Sequence, residues 1–547
     1  MYRLRHIVVL AIFIIVLSVV AASSGFAATN GESGETILTD VFIPTIIKIP
    51  TATNCRYGVN NRPGLPGNQW MTTIGVGHYI NFRADPVGKP VPEEIELIPQ
   101  VRMKQDRLNG EFLDSYSVEP PLNMLQGGLG ELVLTSPGQL WIIGNEPDVA
   151  NPVQDNMMPD MYAAAYHDVY HFIKQLDPYA HVAFAGLSMI TPGRLQYLDI
   201  VWDTYLQKYN TPLPVDVWNM HLYILPEAGL DQQGNLRNSD GKIALGTDPA
   251  LAKREANGPA EIECPKDNIY CRAEHDSMGI FTEQIVAMRT WMKNHGQQNK
   301  PLILSEFSQL YPFVDYDDPV NPTQCYLMDE YGQCFTQPRV ISYMNNTLDY
   351  LETMKNPSLG YPADDHRLVQ QYTWFSMWTE SETSGASSNL LVDDYNNYAA
   401  DSPNALTLVG NAYRDRIFTH DSTMNLIAGD APDVEIKAIQ PQGLADVELF
   451  VGYSNSGSRF ILDPFWVTFY SDAALTKIID QTKVEPGSTG LINGCSWGRI
   501  TEWSSVIWPD LPVGTHSFWV KIDSQNDIKN ETNEGDNVAR GEVVVTP

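Results

Sequence analysis

The chain has 547 residues, which is too long for one compact core and predicts two or three domains. A hydrophobic fraction of 43%, with 12 Trp and 26 Tyr, provides for large cores and excludes a disordered chain. The formal net charge of −31 opposes binding to nucleic acid or to an anionic membrane, whereas a neutral polysaccharide would not be repelled. Solubility alone would also explain this charge.

The first 28 residues have the three parts of a secretory signal peptide. Arg3 and Arg5 precede an apolar stretch at residues 7–20, and small residues follow at 21–28. An uncleaved membrane anchor is the alternative, because the apolar stretch is near the shortest length that spans a bilayer. We expect a protein that is secreted or held at the cell surface.

Six cysteines fit an exported protein. Two local disulfides are expected within polar stretches, Cys264–Cys271 and Cys325–Cys334. Cys55 and Cys495 remain, and these two can pair only if distant parts of the chain meet. No Cys-x-x-Cys pair of the kind that binds zinc occurs, and we expect neither a metal nor a cofactor.

Residues 29–69 are rich in Thr, Pro and Gly and predict an irregular lead-in. From residue 70 to residue 420, strand-like apolar runs alternate with segments of helical period, which predicts parallel β–α–β units. The strand-like runs lie at residues 74–82, 95–103, 140–147, 181–189, 215–223, 301–308 and 371–378. The helical segments lie at residues 161–176, 194–209, 280–295, 340–354 and 405–418.

Seven such strands come close to the eight of a (β/α)8 TIM barrel, and the missing third strand is expected within residues 110–138. An open doubly wound sheet is less favoured, because no Gly-x-Gly-x-x-Gly follows the first strand. Polar insertions at residues 226–273 and 311–337 follow the ends of strands, where a barrel keeps its active-site loops. We therefore predict an α/β barrel over residues 70–420.

After a linker at residues 421–431 the pattern changes to alternation of period two, which predicts a smaller antiparallel β-sandwich over residues 432–547. Its segment VKIDSQNDIKNETNEGDNVARGEVVV closely resembles the last hairpin of the CARDB group of bacterial Ig-like adhesion modules. The resemblance implies an accessory spacer or binding module that associates with a cell surface or wall. We interpret the acidic turn of this segment as solvated, with a Ca²⁺ site as the alternative.

The candidates for chemistry are two glutamates that end strand-like runs. Glu146 ends LWIIGNEP, and Glu306 ends ILSEF. If the barrel prediction is right, both carboxylates lie on the same rim of it. Two carboxylates across a cleft can divide the work of acid and nucleophile, whereas each one alone would more often be a loop residue.

GNEP followed by LSEF resembles the catalytic pair of the clan A glycoside hydrolases, a superfamily of retaining (β/α)8 enzymes. The resemblance implies that Asn145 binds the 2-hydroxyl of the sugar, that Glu146 is the acid/base and that Glu306 is the nucleophile. His221 and Tyr223 in VDVWNMHLY match the His-x-Tyr of the sixth strand, where the Tyr binds the nucleophile. A core His and a packed Tyr are the alternative for this pair. Asp148 has no assigned role.

Two further positions are expected to bind substrate through the same resemblance. Trp378, near the end of the last strand, matches the Trp under the sugar at the cleavage point, and Trp374 is its core alternative. Arg102 in PQVRMK matches the Arg that steadies the nucleophile. The His that many families of the clan carry at the end of the third strand has no clear counterpart.

These residues predict a secreted retaining glycosidase that hydrolyses the O-glycosyl bonds of a polysaccharide or oligosaccharide with two Glu residues. The alternative is a glycan-binding or adhesion protein on a barrel that no longer turns substrate over. A serine hydrolase is remote, because no Gly-x-Ser-x-Gly occurs.

Overall fold

The computed structural model describes residues 54–546, apart from 63–68, 86–94, 231–235, 238–242, 257–267, 311–328, 381–384, 400–401, 421–422, 430–433, 440–442, 487–493 and 497–498. The expected signal peptide lies outside the described residues, as do Cys264 and Cys325. No described helix is both long and apolar enough to cross a bilayer.

Strands and helices alternate through the larger part of the chain. The strands are β1 Asn54–Asn60, β2 Val76–Ile80, β3 Glu96–Leu97, β4 Gln100–Leu108, β5 Glu111–Glu119, β6 Leu140–Asn145, β7 His181–Gly186, β8 Trp218–Leu222, β9 Gly229–Leu230, β10 Leu236–Arg237, β11 Arg254–Glu255, β12 Ile269–Tyr270, β13 Leu302–Phe307 and β14 Gln371–Trp374. The helices are α1 Gln69–Ile74, α2 Leu129–Thr135, α3 Pro159–Leu176, α4 Pro192–Tyr209, α5 Met278–Asn294, α6 Gln337–Thr353 and α7 Leu408–Thr419.

The fold is mixed α/β with several sheets. A six-stranded parallel sheet has the order β3-β2-β1-β14-β13-β8, and a four-stranded sheet has the order β5-β4-β6-β7. An isolated parallel bridge between Ala183 and Val217 joins β7 to the residue before β8, and only Ile98 and Pro99 separate β3 from β4. The two sheets therefore adjoin through these neighbouring strands, although their regular ladders are separate.

The positions of two strands differ from the sequence prediction. β1 lies within residues 29–69, which were expected to be irregular, and it pairs with both β2 and β14. Its sequence NCRYGVN is buried throughout but mixes polar and apolar residues, so it lacks the apolar run that marks the other strands. The region 110–138 holds no third parallel strand; β5, within it, is a largely exposed antiparallel partner of β4.

Each predicted helix is present, with ends shifted by a few residues. α3 and α4 both begin with Pro, which suits the first helical turn because it needs no backbone donor there. Their apolar faces pack on the strands in one large core, which includes Tyr162, Tyr166 and Trp218. A separate small cluster is formed by buried residues in or next to the parallel strands: Ile80, Ile98, Leu140, Ile142, Ala183, Val217 and Ile303.

The C-terminal part is built from two four-stranded antiparallel sheets. Their strands are β15 Leu426–Ala428, β16 Val434–Ile439, β17 Ala445–Asn455, β18 Phe465–Tyr470, β19 Ile478–Val484, β20 Glu502–Leu511, β21 Gly514–Lys521 and β22 Val538–Val545. In one sheet β17 pairs with β15, β16 and β20, and the other has the order β19-β18-β21-β22. Buried residues of both sheets share one core.

These two sheets contact the amino ends of the parallel strands. A disulfide joins Cys55 at the start of β1 to Cys495, with 5.8 Å between the Cα atoms and 440 residues between the cysteines in sequence. Arg499 forms a largely buried ion pair with Glu96 at the start of β3. Cys271 and Cys334 are also disulfide-bonded, but the two local pairings remain predictions because Cys264 and Cys325 lie outside the described residues.

Candidate active site

Glu146 lies directly after β6, where the chain turns sharply. Its φ is 43°, and that of Gly144 is 95°. A Cβ at Gly144 would lie 3.0 Å from the carboxylate of Asp155, so glycine suits both the conformation and the space. The Glu146 N–H donates to the carbonyl of Gly186 at 3.0 Å. A non-glycine residue persists at positive φ where its surroundings hold it, so these contacts fix the direction of the Glu146 side chain.

Glu306 lies near the end of β13, opposite His221 on β8. His221 and Tyr223 project from the same face because side chains alternate along a strand. The pairing of β13 with β8 therefore brings both residues to Glu306. The Tyr223 hydroxyl donates to Glu306 Oε2 at 3.0 Å.

His221 lies between the two glutamates. Its Nδ1 is 2.9 Å from Glu146 Oε1, and its Nε2 is 3.5 Å from Glu306 Oε1. One carboxylate oxygen of each glutamate and one ring nitrogen lie within 4.8 Å of one another, a spacing that a divalent ion could also use. The structure thus brings together the four residues predicted at the strand ends of this site: Glu146, His221, Tyr223 and Glu306.

Burial and neighbouring charges shift the protonation equilibria of these groups. Burial raises the pKa of Glu306 to about 7; the charge of His221 and the hydrogen bond from Tyr223 oppose this rise, and the charge of Glu146 adds to it. Burial alone would lower the pKa of His221, but the charges of Glu306 and Glu146 and the hydrogen bond to Glu146 raise it above its ordinary value. The charge of each of these two groups, Glu306 and His221, therefore acts on the protonation of the other.

Asn145 is held on both sides of its amide. Its Oδ1 accepts from Gln100 Nε2 at 2.9 Å, and its Nδ2 donates to Gln154 Oε1 at 2.6 Å. Its backbone N–H donates to Asp155 Oδ2 at 2.7 Å. The side chain next to Glu146 is thus fixed before any ligand binds.

Arg102 reaches the site only through another residue. Its Nε is 2.6 Å from Asp155 Oδ1, and its Nη2 donates to the carbonyl of Val153 at 2.9 Å. Arg102 therefore anchors the loop after Glu146 instead of binding Glu306, and only its charge acts on Glu306, whose pKa it lowers slightly. Asp155 could not be predicted as the partner of Arg102, because the two residues lie 53 positions apart in sequence and their contact has no local signal.

The aromatic residues at and just after the end of β14 have different surroundings. Trp374 is buried in the core, as the alternative for that residue expected. Trp378 packs against the same core, and its Nε1 donates to Asp393 Oδ1 at 2.7 Å. Phe375 instead packs edge-on against Tyr223, with ring centroids 6.3 Å apart. β14 ends at Trp374, so Trp378 lies four residues beyond the strand.

A cavity of about 370 Å³ opens beside Glu146 and Tyr223, and Arg194 and Arg272 also line it. Both cations are paired with carboxylates: Arg272 with Glu255 at 3.4 Å, and Arg194 with Glu227 at 2.8 Å. The wall of the cavity therefore offers polar groups without a strongly cationic surface.

Asp148, for which no role was predicted, is fully buried. Its Oδ2 forms an ion pair with Arg194, which lies between Asp148 and Glu227. Burial raises the pKa of Asp148, while the charge of Arg194 lowers it and that of Glu146 raises it. Asp148 therefore helps to hold the turn that carries Glu146 against α4.

No protein-family model and no curated protein matches the chain. Among solved structures, it is similar to a GH128 subgroup I endo-β-1,3-glucanase from Amycolatopsis mediterranei in complex with laminaritriose, with 14% identity, a TM-score of 0.37, and coverage of 66% of this chain and 98% of that one. It is also similar to a GH128 subgroup VII oligosaccharide-binding protein from Cryptococcus neoformans, with 11% identity, a TM-score of 0.36, and coverage of 68% and 97%. A glucosidase from Croceicoccus marinus matches with 10% identity, a TM-score of 0.36, and coverage of 84% and 94%. With TM-scores this low, these likenesses carry no inference about activity.

Proposed function

We propose that the chain is a secreted retaining glycoside hydrolase that cleaves O-glycosidic bonds by double displacement on a closed (β/α)8 barrel. The observation that carries the proposal is the proximity of Glu146 and Glu306, whose carboxylate oxygens lie within 4.8 Å. Carboxyl groups of retaining enzymes lie about 5–5.5 Å apart, whereas inverting enzymes need about 6.5–9.5 Å to admit a water molecule. The short separation supports retention.

In the first step, Glu306 attacks the anomeric carbon while Glu146 protonates the departing glycosidic oxygen. This step requires an ionised Glu306 and a protonated Glu146. Because burial holds the pKa of Glu306 near 7, the free site keeps a proton close to the pair at neutral pH. His221 contacts both carboxylates and is placed to pass that proton to Glu146.

In the second step, Glu146 removes a proton from water, and the resulting hydroxide attacks the anomeric carbon of the glycosyl–Glu306 ester. It attacks from the face that the leaving group has vacated. The C–O bond to Glu306 breaks and its carboxylate is released. Tyr223 donates to that leaving carboxylate and stabilises its charge. The sugar is released with the configuration that it had in the substrate.

Asn145 and Phe375 bind the sugar at the cleavage point in this proposal. Asn145 lies next to Glu146 with its amide held by two glutamines, which suits a hydrogen bond to the 2-hydroxyl. Phe375 offers an apolar ring beside Tyr223. Secretion follows from the N-terminal sequence, and the C-terminal sheets serve as a CARDB-like, Ig-like module for surface association.

The test is hydrolysis of a panel of neutral polysaccharides, with ¹H NMR of the first product anomer. We expect release of reducing ends with retained configuration. Replacing Glu146 or Glu306 with Gln should lower turnover by about 10²–10⁴-fold or more, because the acid/base or the nucleophile is lost. Glu283→Gln, on the exposed side of α5, is the matched control and should keep full activity.

Two results would contradict the proposal. An inverted first product would refute double displacement. Binding of glycans by the folded chain without release of reducing ends would indicate the glycan-binding alternative, and the two Gln variants would then bind as well as the wild type.

A further inference from the structure

The loop between β21 and β22 gathers three carboxylates. Asp523, Glu531 and Glu534 each present an oxygen, and these oxygens lie within 4.8 Å of one another. Asp523 is fully buried, Glu531 is half-buried and Glu534 is exposed. The group therefore extends from the interior of the C-terminal sheets to solvent.

The backbone fixes two of these carboxylates. Asp523 Oδ1 accepts from the Asp527 N–H at 2.7 Å, and Oδ2 accepts from the Ile528 N–H at 3.0 Å. Glu531 Oε2 accepts from the Leu426 N–H on β15 at 2.9 Å. The oxygens are thus held together by the fold and are not free to separate by rotation.

Among the described residues, no positive side chain neutralises this group. Within the described part of the chain, no Lys or Arg forms an ion pair with Asp523, Glu531 or Glu534. Carboxylates packed this closely repel one another unless a proton or a cation lies between them.

Asn537 provides a second, independent observation. The residue is fully buried, its amide end points into the carboxylate group, and its Oδ1 has no hydrogen-bond partner. Its Nδ2 lies 3.4–3.5 Å from oxygens of Glu531 and Glu534, which is long for a hydrogen bond. Turning the amide over would direct the unpartnered oxygen at the carboxylates. A cation bound between these oxygens would then be the partner that the buried Oδ1 lacks.

We propose that Asp523, Glu531, Glu534 and Asn537 bind one Ca²⁺ ion. Ca²⁺ takes six to eight oxygen ligands at about 2.3–2.6 Å in irregular geometry, and water completes the four protein ligands here. Mg²⁺ demands a stricter octahedron, and zinc prefers nitrogen and sulfur ligands. The structure therefore favours the alternative that the sequence analysis left open over a merely solvated turn.

The bound ion would fasten the last hairpin to the segment that enters the C-terminal sheets. Glu531 already contacts Leu426, and the Thr532 N–H donates to the carbonyl of Met424 at 3.0 Å. Removing the repulsion between the carboxylates strengthens this junction. The site does not depend on the proposed hydrolase activity, so each can fail without the other.

The test is a calorimetric titration of CaCl₂ into the full chain, after chelator treatment and in about 150 mM NaCl to screen the acidic surface. We expect one ion per chain. Glu534→Gln should weaken binding at least tenfold and Asp523→Asn should abolish it, whereas the exposed control Glu542→Gln should bind as the wild type does. Ca²⁺ should raise the melting temperature of the wild type and of the control only.

Absence of heat in the wild type would overturn the proposal. Undiminished binding in Glu534→Gln would do the same, since it would place the ion elsewhere. If Asp523→Asn does not fold, Glu534→Gln decides the matter, because Glu534 is exposed and accepts only a long contact from Asn537.

Discussion

The hydrogen bond from Tyr223 to Glu306 should set the acidic limit of activity. Tyr223→Phe removes a donor 3.0 Å from Oε2 and retains the ring that packs against Phe375. A donor favours the ionised form of the carboxyl that accepts from it, so its loss raises the pKa of Glu306. The proposed nucleophile must be ionised. As the pH falls, Tyr223→Phe should therefore lose activity at a higher pH than the wild type does.

The size of the shift follows from the burial of Glu306. A hydrogen bond to a charged group contributes about 1.5–3 kcal/mol, and solvent screens it little at a side chain that is 8% exposed. At about 1.4 kcal/mol for each pKa unit, the expected rise is about 1–2 units. The pKa of Glu306, about 7 in the wild type, should then reach about 8–9.

Two measurements check this expectation. Carboxyl ¹³C NMR with labelled glutamate gives the pKa directly, and Glu306→Gln identifies the resonance. The pH profile of kcat/KM should show the acidic limb moved upward by the same amount. Tyr413→Phe is the matched control, because it removes a buried hydrogen bond of 2.9 Å to a backbone carbonyl and none to a carboxylate. An unmoved or lowered limb in Tyr223→Phe would refute the reasoning.

Three other predictions concern the scaffold and the substrate contact. Cys55→Ser should lower the free energy of unfolding by about 2–5 kcal/mol in a denaturant titration, because its bond with Cys495 closes a loop of 440 residues; unchanged stability would contradict this. Phe375→Leu should raise KM for oligosaccharides while Trp378→Phe leaves it unchanged. If only Trp378→Phe raised KM, Trp378 and not Phe375 would be the residue that binds the sugar. Asp155→Asn should lower kcat at least tenfold with the fold intact by circular dichroism, since its charge holds Arg102 and the turn before Glu146; full activity would exclude this positioning role.

The catalytic candidates could be predicted from sequence because their signal is local. An apolar strand followed at once by a carboxylate marks Glu146 and Glu306, and period two places His221 and Tyr223 on one face. β1 was not predicted because several of its buried residues are polar. Asn60, for example, donates to the carbonyl of Ser305. Its apolar content is therefore too low to mark a strand.

Contacts between distant segments could not be predicted in the same way. From the sequence, Asp148 could be placed only in a loop. Its ion pair with Arg194 depends on how α4 packs beside that loop. The bond between Cys55 and Cys495 depends on where the C-terminal sheets dock, which no spacing encodes.

The position of the C-terminal sheets determines which way the cavity faces when those sheets are attached to a surface. The C-terminal sheets are bonded to the amino ends of the parallel strands through Cys495 and Arg499, and the cavity opens at the carboxyl ends. A molecule attached to a surface by those sheets would turn its cavity away from that surface. It would then meet glycans arriving from the surroundings before any in the layer to which it is attached.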